Sequence, residues 1–251
     1  MDITRANIAR SSFAINSKQL ALIICFSGLY AVACFIPLFR IVGSQNFITL
    51  AAMFAPTIGM LFGPLIGAAS TLIGGFIGFF AGVISPPSLV SGVTAGLLAG
   101  FLKEEKRKLC IFVYMILLLV FGFYPPVGPI WLFPPSMWFQ IAGFLILIWL
   151  TRHRGNLNLT IKFLIFSLVS TLAGQIVGSL TFEVLYWPIF LQDLNVWKGI
   201  WQATTFLYPI ERTLIALGST LIGVAVHKAL ENAGLIKAFD GCAEKAFMKT
   251  H

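Results

Sequence analysis

Two rows of polar side chains interrupt a chain that is otherwise apolar. In the stretch 162–187, Thr171, Gln175, Ser179 and Glu183 recur four residues apart, which on a helix brings them to one face. Around the head of the stretch 205–229, Thr204, Tyr208, Glu211 or Arg212, Ile215 and Ser219 trace a comparable face. Between the two rows lies WPIFLQDLNVWKGIWQATTF (187–206), where Asp193, Asn195, Lys198 and Gln202 alternate with Trp187, Trp197 and Trp201. Aromatic faces with a few hydrogen-bonding groups suit a flat, polar small molecule. An ionisable group at the centre of a membrane span costs about 2.5–3.5 kcal/mol on insertion scales, so it faces protein or a water-filled cavity. Adjacent helical positions point about 100° apart, so Glu211 and Arg212 need not bridge each other. Pairing with other spans for structure and contact with a ligand both remain open for them. The candidate ligand contacts are Gln175, Glu183, Trp187, Asn195, Trp197, Tyr208, Glu211 and Arg212.

Other chemistries lack their residues. No G-x-x-x-x-G-K-[ST] run occurs, and the glycine-rich GAASTLIGG (67–75) has no lysine, so the chain carries no phosphate-binding loop of its own. No H-E-x-x-H occurs, and His153, His227 and His251 lie far apart, so metal-ligand spacing is absent. Cys25, Cys34, Cys110 and Cys242 form no C-x-x-C, and the first three sit in or beside apolar runs, where cysteine acts as a small buried apolar residue. No Ser/His/Asp set shares a depth. The expectation is a protein that is not an enzyme, with no metal and no cofactor.

The elements that must position these residues follow from composition. Of 251 residues, 58% are hydrophobic and 10% charged, against about 25% charged in soluble domains; the mean hydropathy is +0.92. Eight apolar segments stand out, at roughly 19–39, 48–62, 65–84, 89–102, 109–124, 133–151, 162–187 and 205–229. A straight span needs about 17–25 residues. The second, fourth and fifth segments are short for that, and read as buried short helices or partly re-entrant ones. The fold class expected is an all-α integral membrane bundle.

Net charge is +8, from 17 Lys+Arg against 9 Asp+Glu. The basic residues gather in short loops rather than in a nucleic-acid patch: Arg5, Arg10 and Lys18 at the start, Lys103 to Lys108, 152–162, and Lys228, Lys237, Lys245 and Lys249. With eight spans, or six, all four clusters share one side, which is the cytoplasmic one. The chain is therefore expected in the cell membrane, multi-pass, with both termini cytoplasmic: a segment 1–18, a transmembrane domain 19–230 and a tail 231–251. The opposite loops, GSQN (43–46), SPPS (85–88), 124–135 and 188–204, are nearly free of charge, and Trp131, Trp138, Trp187, Trp197 and Trp201 lie on their side. The AVAC at 31–34 resembles a signal-peptide end, but the apolar run continues to Phe39, so it is read as a span. Glycines recur every four residues at 59–63–67, 74–78–82, 92–96–100 and 174–178, which lets another helix approach closely.

FITLAAMFAPTIGMLFGPLIGAASTLIGGFIGFF (47–80), with Gly63-Pro64 between a short apolar helix and a glycine-rich one, resembles the second and third helices of the substrate-binding S components of energy-coupling factor (ECF) transporters. SLVSGVTAGLLAGFL (88–102) resembles the family's fourth helix and YPIERTLIALGSTLIGVAVHKAL (208–230) its last. The resemblance covers about two thirds of the chain. It implies a bundle of six helices, so that 109–151 would be an inserted hairpin. It implies that GSQN closes the pocket, which adds Asn46 to the candidate contacts. Where many members carry an AxxxA docking motif, this chain has Ser27-xxx-Ala31 and Ala21-xxx-Cys25, which keep small residues but not the motif; Ser27 and Ala31, with Gly92 and Gly96 of the glycine stripe, are the candidate docking positions. The implied partners are a transmembrane coupling subunit and two ATPase subunits, the implied substrate a vitamin or related micronutrient captured from outside. No vitamin-specific motif is matched. The alternatives are a stand-alone secondary transporter, with Glu183 and Glu211 as coupling groups, and a membrane enzyme or structural membrane protein.

Overall fold

The computed structural model describes residues 17–40, 47–153, 155, 157–189 and 192–234. Asn46, the segment before Ser17 and the tail beyond Gly234 lie outside the described residues. Helix α1 (Ser17–Cys34) runs into a two-stranded antiparallel ladder, β1 (Pro37–Arg40) with β2 (Phe47–Thr49), paired Phe39 to Ile48 and Arg40 to Phe47. Then follow α2 (Ala51–Phe62), α3 (Pro64–Phe80), α4 (Pro86–Lys103) and α5 (Arg107–Gly122). A one-turn α6 (Pro129–Leu132) and a 3-10 turn (Pro134–Met137) lead to α7 (Trp138–Arg152). The chain closes with α8 (Leu159–Tyr186) and α9 (Leu194–Asn232).

Each of the eight apolar segments holds a helix, and among the described residues four helical stretches are long and apolar enough to cross a membrane: Ser17–Cys34, Pro134–Arg152, Leu159–Tyr186 and Leu194–Asn232. The architecture is all-α apart from the ladder. Two boundaries differ from the sequence expectation. The first helix stops at Cys34, because Pro37 cannot continue it and the chain turns into β1. The stretch 188–204, read as a loop, is helical from Leu194 onward. The Asp193 side chain accepts from the Asn195 amide at 2.8 Å and caps that helix. At about 1.5 Å per residue, the 39 residues of α9 span about 58 Å, well beyond a hydrocarbon core of about 30 Å.

The join between α2 and α3 explains its own residues. Gly63 has φ +91, a left-handed value that suits glycine, and Pro64 starts α3 where no amide donor is needed. Helix α4 packs on α8, α2 and α3 and forms the common wall of the bundle. A Cβ on Gly96 would sit 2.9 Å from the Gly67 carbonyl oxygen, so only glycine lets α3 and α4 approach this closely. Two apolar clusters meet on α4. One is built by α1, α3, Ala95 and the first part of α2, the other by Leu98, Ala99 and Leu102 with Met60 and Leu61 at the end of α2, α5, α7, α8 and the first turns of α9.

The basic ends of the helices are tied together. Lys103 Nζ donates to the Leu61 carbonyl at the end of α2 (2.8 Å), and Arg107 donates to the Leu150 carbonyl at the end of α7 (2.6 Å). Glu105 pairs with Arg107 and, at 2.9 Å, with Lys162 of α8. Partial burial pushes the Glu105 carboxyl up, but the Lys162 hydrogen bond and charge, with Arg107, outweigh it and hold the group below its ordinary range.

Pro209 interrupts α9 and takes away the amide that would bond the Thr205 carbonyl. Trp138 Nε1 of α7 donates to that oxygen instead, at 3.0 Å. Trp197 and Trp201, expected from the sequence on the outer side, are core residues at 0% and 3% exposure, whereas Trp131 and Trp138 are exposed. Cys34 and Cys110 are buried free thiols, and Cys25 is exposed.

Candidate functional site

A cavity lies between the tryptophan-rich ends of the helices, with about 100 Å³ open to the centres of water molecules. At about 10–15 Å³ per water in that measure, it holds several waters or a small organic molecule. One wall is Tyr30 and Cys34 of α1, with Thr49 and the first turns of α2. A second is Ser85, Ser88 and Ser91 at the head of α4. A third is Thr171, Gln175, Ser179, Phe182 and Tyr186 of α8, and the last is Ile200, Trp201, Tyr208 and Arg212 of α9.

The polar groups are held from behind. Gln140 of α7 orients its amide so that the nitrogen donates to the Ser136 and Met137 carbonyls, at 3.0 and 3.2 Å, and the oxygen accepts from Gln175 Nε2 at 3.1 Å. Tyr114 donates to the Gln140 carbonyl at 2.9 Å and completes the brace. Gln175 therefore spends one of its two amide donors on α7, and its Oε1 is buried with no partner among the described residues. Thr171 Oγ1 is in the same condition.

Arg212 is 8% exposed. Its guanidinium carbon stands 5.2 Å from the Tyr208 ring centroid, and the two residues share a helix face at a spacing of four. Its Nε is buried without a hydrogen-bond partner among the described residues. The ion pairs found among those residues are at the 104–107 turn, so no described carboxylate lies within 4.0 Å of Arg212. Taking an uncompensated charge out of water costs several kcal/mol, while an unpaired neutral acceptor costs about 1–3 kcal/mol. Glu211, the preceding residue, attracts the guanidinium without forming an ion pair, which leaves Nε an unbonded donor on the one charged side chain of the described lining.

Gln175, Tyr208 and Arg212 line the cavity; Glu183, Trp187, Trp197 and Glu211 do not. Glu183 is wholly buried, with both carboxylate oxygens unpartnered among the described residues, and Glu211 Oε2 is also buried without a partner. Trp197 packs on Phe182 and Trp201, at centroid distances of 5.3 and 5.9 Å. Trp201 in turn donates to the Val127 carbonyl at 2.8 Å, which fixes the proline-rich stretch 125–135 against α9. Asn195 is exposed in the first turn of α9. Among the docking candidates, Ser27, Ala31, Gly92 and Gly96 are all buried inside the chain. A Cβ on Gly74 of α3 would meet Ser27 and Ala31, and one on Gly92 would collide with the Tyr30 hydroxyl.

Sequence reasoning did not single out Tyr30, Thr49 or the α4 serines. The only available signal was Ser85, Ser88 and Ser91 at three-residue spacing, on one helix face but hidden in a glycine-rich run.

A second cavity, of about 310 Å³, lies among Leu61, Phe62, Phe163, Phe166 and His227 at the basic end. It is larger, but its lysines, Lys103 and Lys162, are already bonded to the Leu61 carbonyl and Glu105. Unmet polar demand, and not size, marks the first cavity as the candidate site. Among the described residues no three His, Cys, Asp or Glu side chains gather in a way that could hold a metal ion. No family model, curated protein or solved structure matches this chain.

Proposed function

We propose that this chain is the membrane-embedded capture subunit of an ATP-driven uptake system of the energy-coupling factor type, binding a vitamin-like small molecule from outside the cell. The observation that carries the reading is a cavity lined by Arg212, Gln175 and Thr171, each of which also holds a buried polar atom without a partner among the described residues. Such demand is met by a ligand that arrives with complementary groups. The apolar helices supply the bilayer setting, and the sequence contains no phosphate-binding loop, so ATP would be hydrolysed by two partner subunits through a transmembrane coupling subunit. The six-helix S-component plan requires α5 to α7 to be an addition to it.

Native mass spectrometry of the full chain purified in detergent tests the proposal. A small molecule that co-purifies and is lost with Arg212→Gln is the expected result. A chain that is empty and also fails to associate with ATPase subunits on co-expression refutes it.

Glu183 favours a second reading. A wholly buried carboxylate without a partner among the described residues is what a proton- or cation-coupled secondary transporter uses. Uptake that collapses with the ion gradient, needs no ATPase and loses its gradient dependence in Glu183→Gln would establish this second reading instead.

A further inference from the structure

We infer that the ligand of the cavity is an anion, a small carboxylate or phosphate compound with a flat apolar body, whose acid group pairs with Arg212. The inference rests on reading the cavity as a capture site. Arg212 is the one charged side chain in the described lining. It is more than nine-tenths buried, and its Nε lacks a partner. Among the described residues neither Glu211 nor Glu183 lines the cavity or comes within 4.0 Å of a basic group, so Glu211 attracts Arg212 only at longer range. A cation or a neutral molecule would leave the guanidinium unpaired, and a cation would also be repelled by it.

The remaining groups fit the same ligand. Hydroxyls of Ser88, Ser91 and Tyr208 can donate to further acid oxygens. Gln175 and Thr171, one turn apart on α8, also line the cavity, and each carries an unbonded side-chain oxygen for a donor on the ligand. Phe182, Tyr186 and Trp201 add aromatic lining that suits a flat body.

The test uses the wild-type full chain in detergent and probes of one shape and different charge. Benzoate and phenyl phosphate are the anions, benzamide the neutral analogue and benzamidine the cation. Binding is read by quenching of tryptophan fluorescence, to which Trp201 in the wall contributes, and by thermal shift. Benzoate or phenyl phosphate should bind at least about 30-fold more tightly than benzamide, and benzamidine should not bind. Whichever of the two anions binds better separates a carboxylate ligand from a phosphate one. Arg212→Lys should keep part of the preference and Arg212→Gln should abolish it. The comparison of probes on the wild-type chain holds even if a variant fails to fold. Benzamide or benzamidine binding as tightly as the anions overturns the inference and leaves the capture reading standing. Failure of all four probes, with a neutral molecule found bound in the purified protein, has the same meaning. Failure of all four with nothing bound overturns the inference, and overturns the capture reading as well when the chain also fails to associate with ATPase subunits.

Discussion

The indole of Trp138 should be worth what the missing amide of Pro209 would have been. Thr205 is buried at 5% exposure, and its carbonyl oxygen has lost its helical donor to the proline ring. Trp138→Phe keeps most of the ring packing and removes only the N–H that reaches this oxygen at 3.0 Å. A net hydrogen bond is worth about 0.5–1.5 kcal/mol, and leaving a buried acceptor unmet costs about 1–3 kcal/mol. Hydrogen bonds between membrane helices average about 0.6 kcal/mol in double-mutant cycles. The expected cost is therefore about 1 kcal/mol. Pro209→Ala restores an N–H four residues after Thr205, so in that background Trp138→Phe should cost close to nothing. The assay is a double-mutant cycle by reversible unfolding in mixed micelles, with a coupling energy of about 0.6–1.5 kcal/mol expected. A Trp138→Phe cost of the same size in both backgrounds would refute the reasoning, since the indole would then act through packing alone.

Further outcomes follow from other contacts. Gly96→Val should destabilise the chain by about 1–3 kcal/mol or more, read as a fall in Tm, because its side chain has the Gly67 carbonyl where it must go. Glu105 has a depressed folded pKa, so its contribution is present above its unfolded pKa of about 4.3 and is lost as pH falls through the lower folded value. That contribution should not exceed about 1 kcal/mol, because the side chain is 47% exposed; comparing Glu105→Gln with wild type at pH 6 and about pH 3 by thermal unfolding checks it, the difference shrinking at the lower pH. Glu183→Leu should raise Tm, because a buried carboxylate without partners among the described residues costs stability that an apolar side chain does not; an unchanged or lower Tm would mean that the carboxylate has a partner.

Much of the helical plan was legible because lipid-length apolar runs and basic loops are coarse signals. The Gly63-Pro64 join was legible too, since positive φ followed by a donor-free start leaves little choice of residue. The start of α9 was not. Trp197, Ile200, Trp201 and Thr204 are buried at helical spacing, but Lys198, Gln202 and the surrounding polar residues keep this stretch below the hydropathy of a span. The ladder was missed because PLFR and FIT are too short to carry an alternation. The row on α8 shows where spacing alone runs out. Four residues on a helix of about 3.6 per turn advance about 40° beyond a full turn. Over three such steps the row drifts by about 120°, so Thr171, Gln175 and Ser179 reach the cavity and Glu183 does not. The serines of α4 and Tyr30 of α1 enter the wall only through contacts between helices distant in sequence, which no local pattern encodes.

The meeting of two apolar clusters on α4 has a consequence for cooperativity. Around the cavity, Tyr30, Cys34 and Ala55 belong to one cluster and Ile200 and Trp201 to the other. The ligand space is therefore a seam between two cores that touch elsewhere through α2 and α4. A molecule seated there adds contacts to both sides at once, and its binding energy enters as a link between them. The empty chain should then unfold in two separable transitions that merge into one when the seam is filled, so that calorimetry would report occupancy by the number of transitions as well as by their temperature.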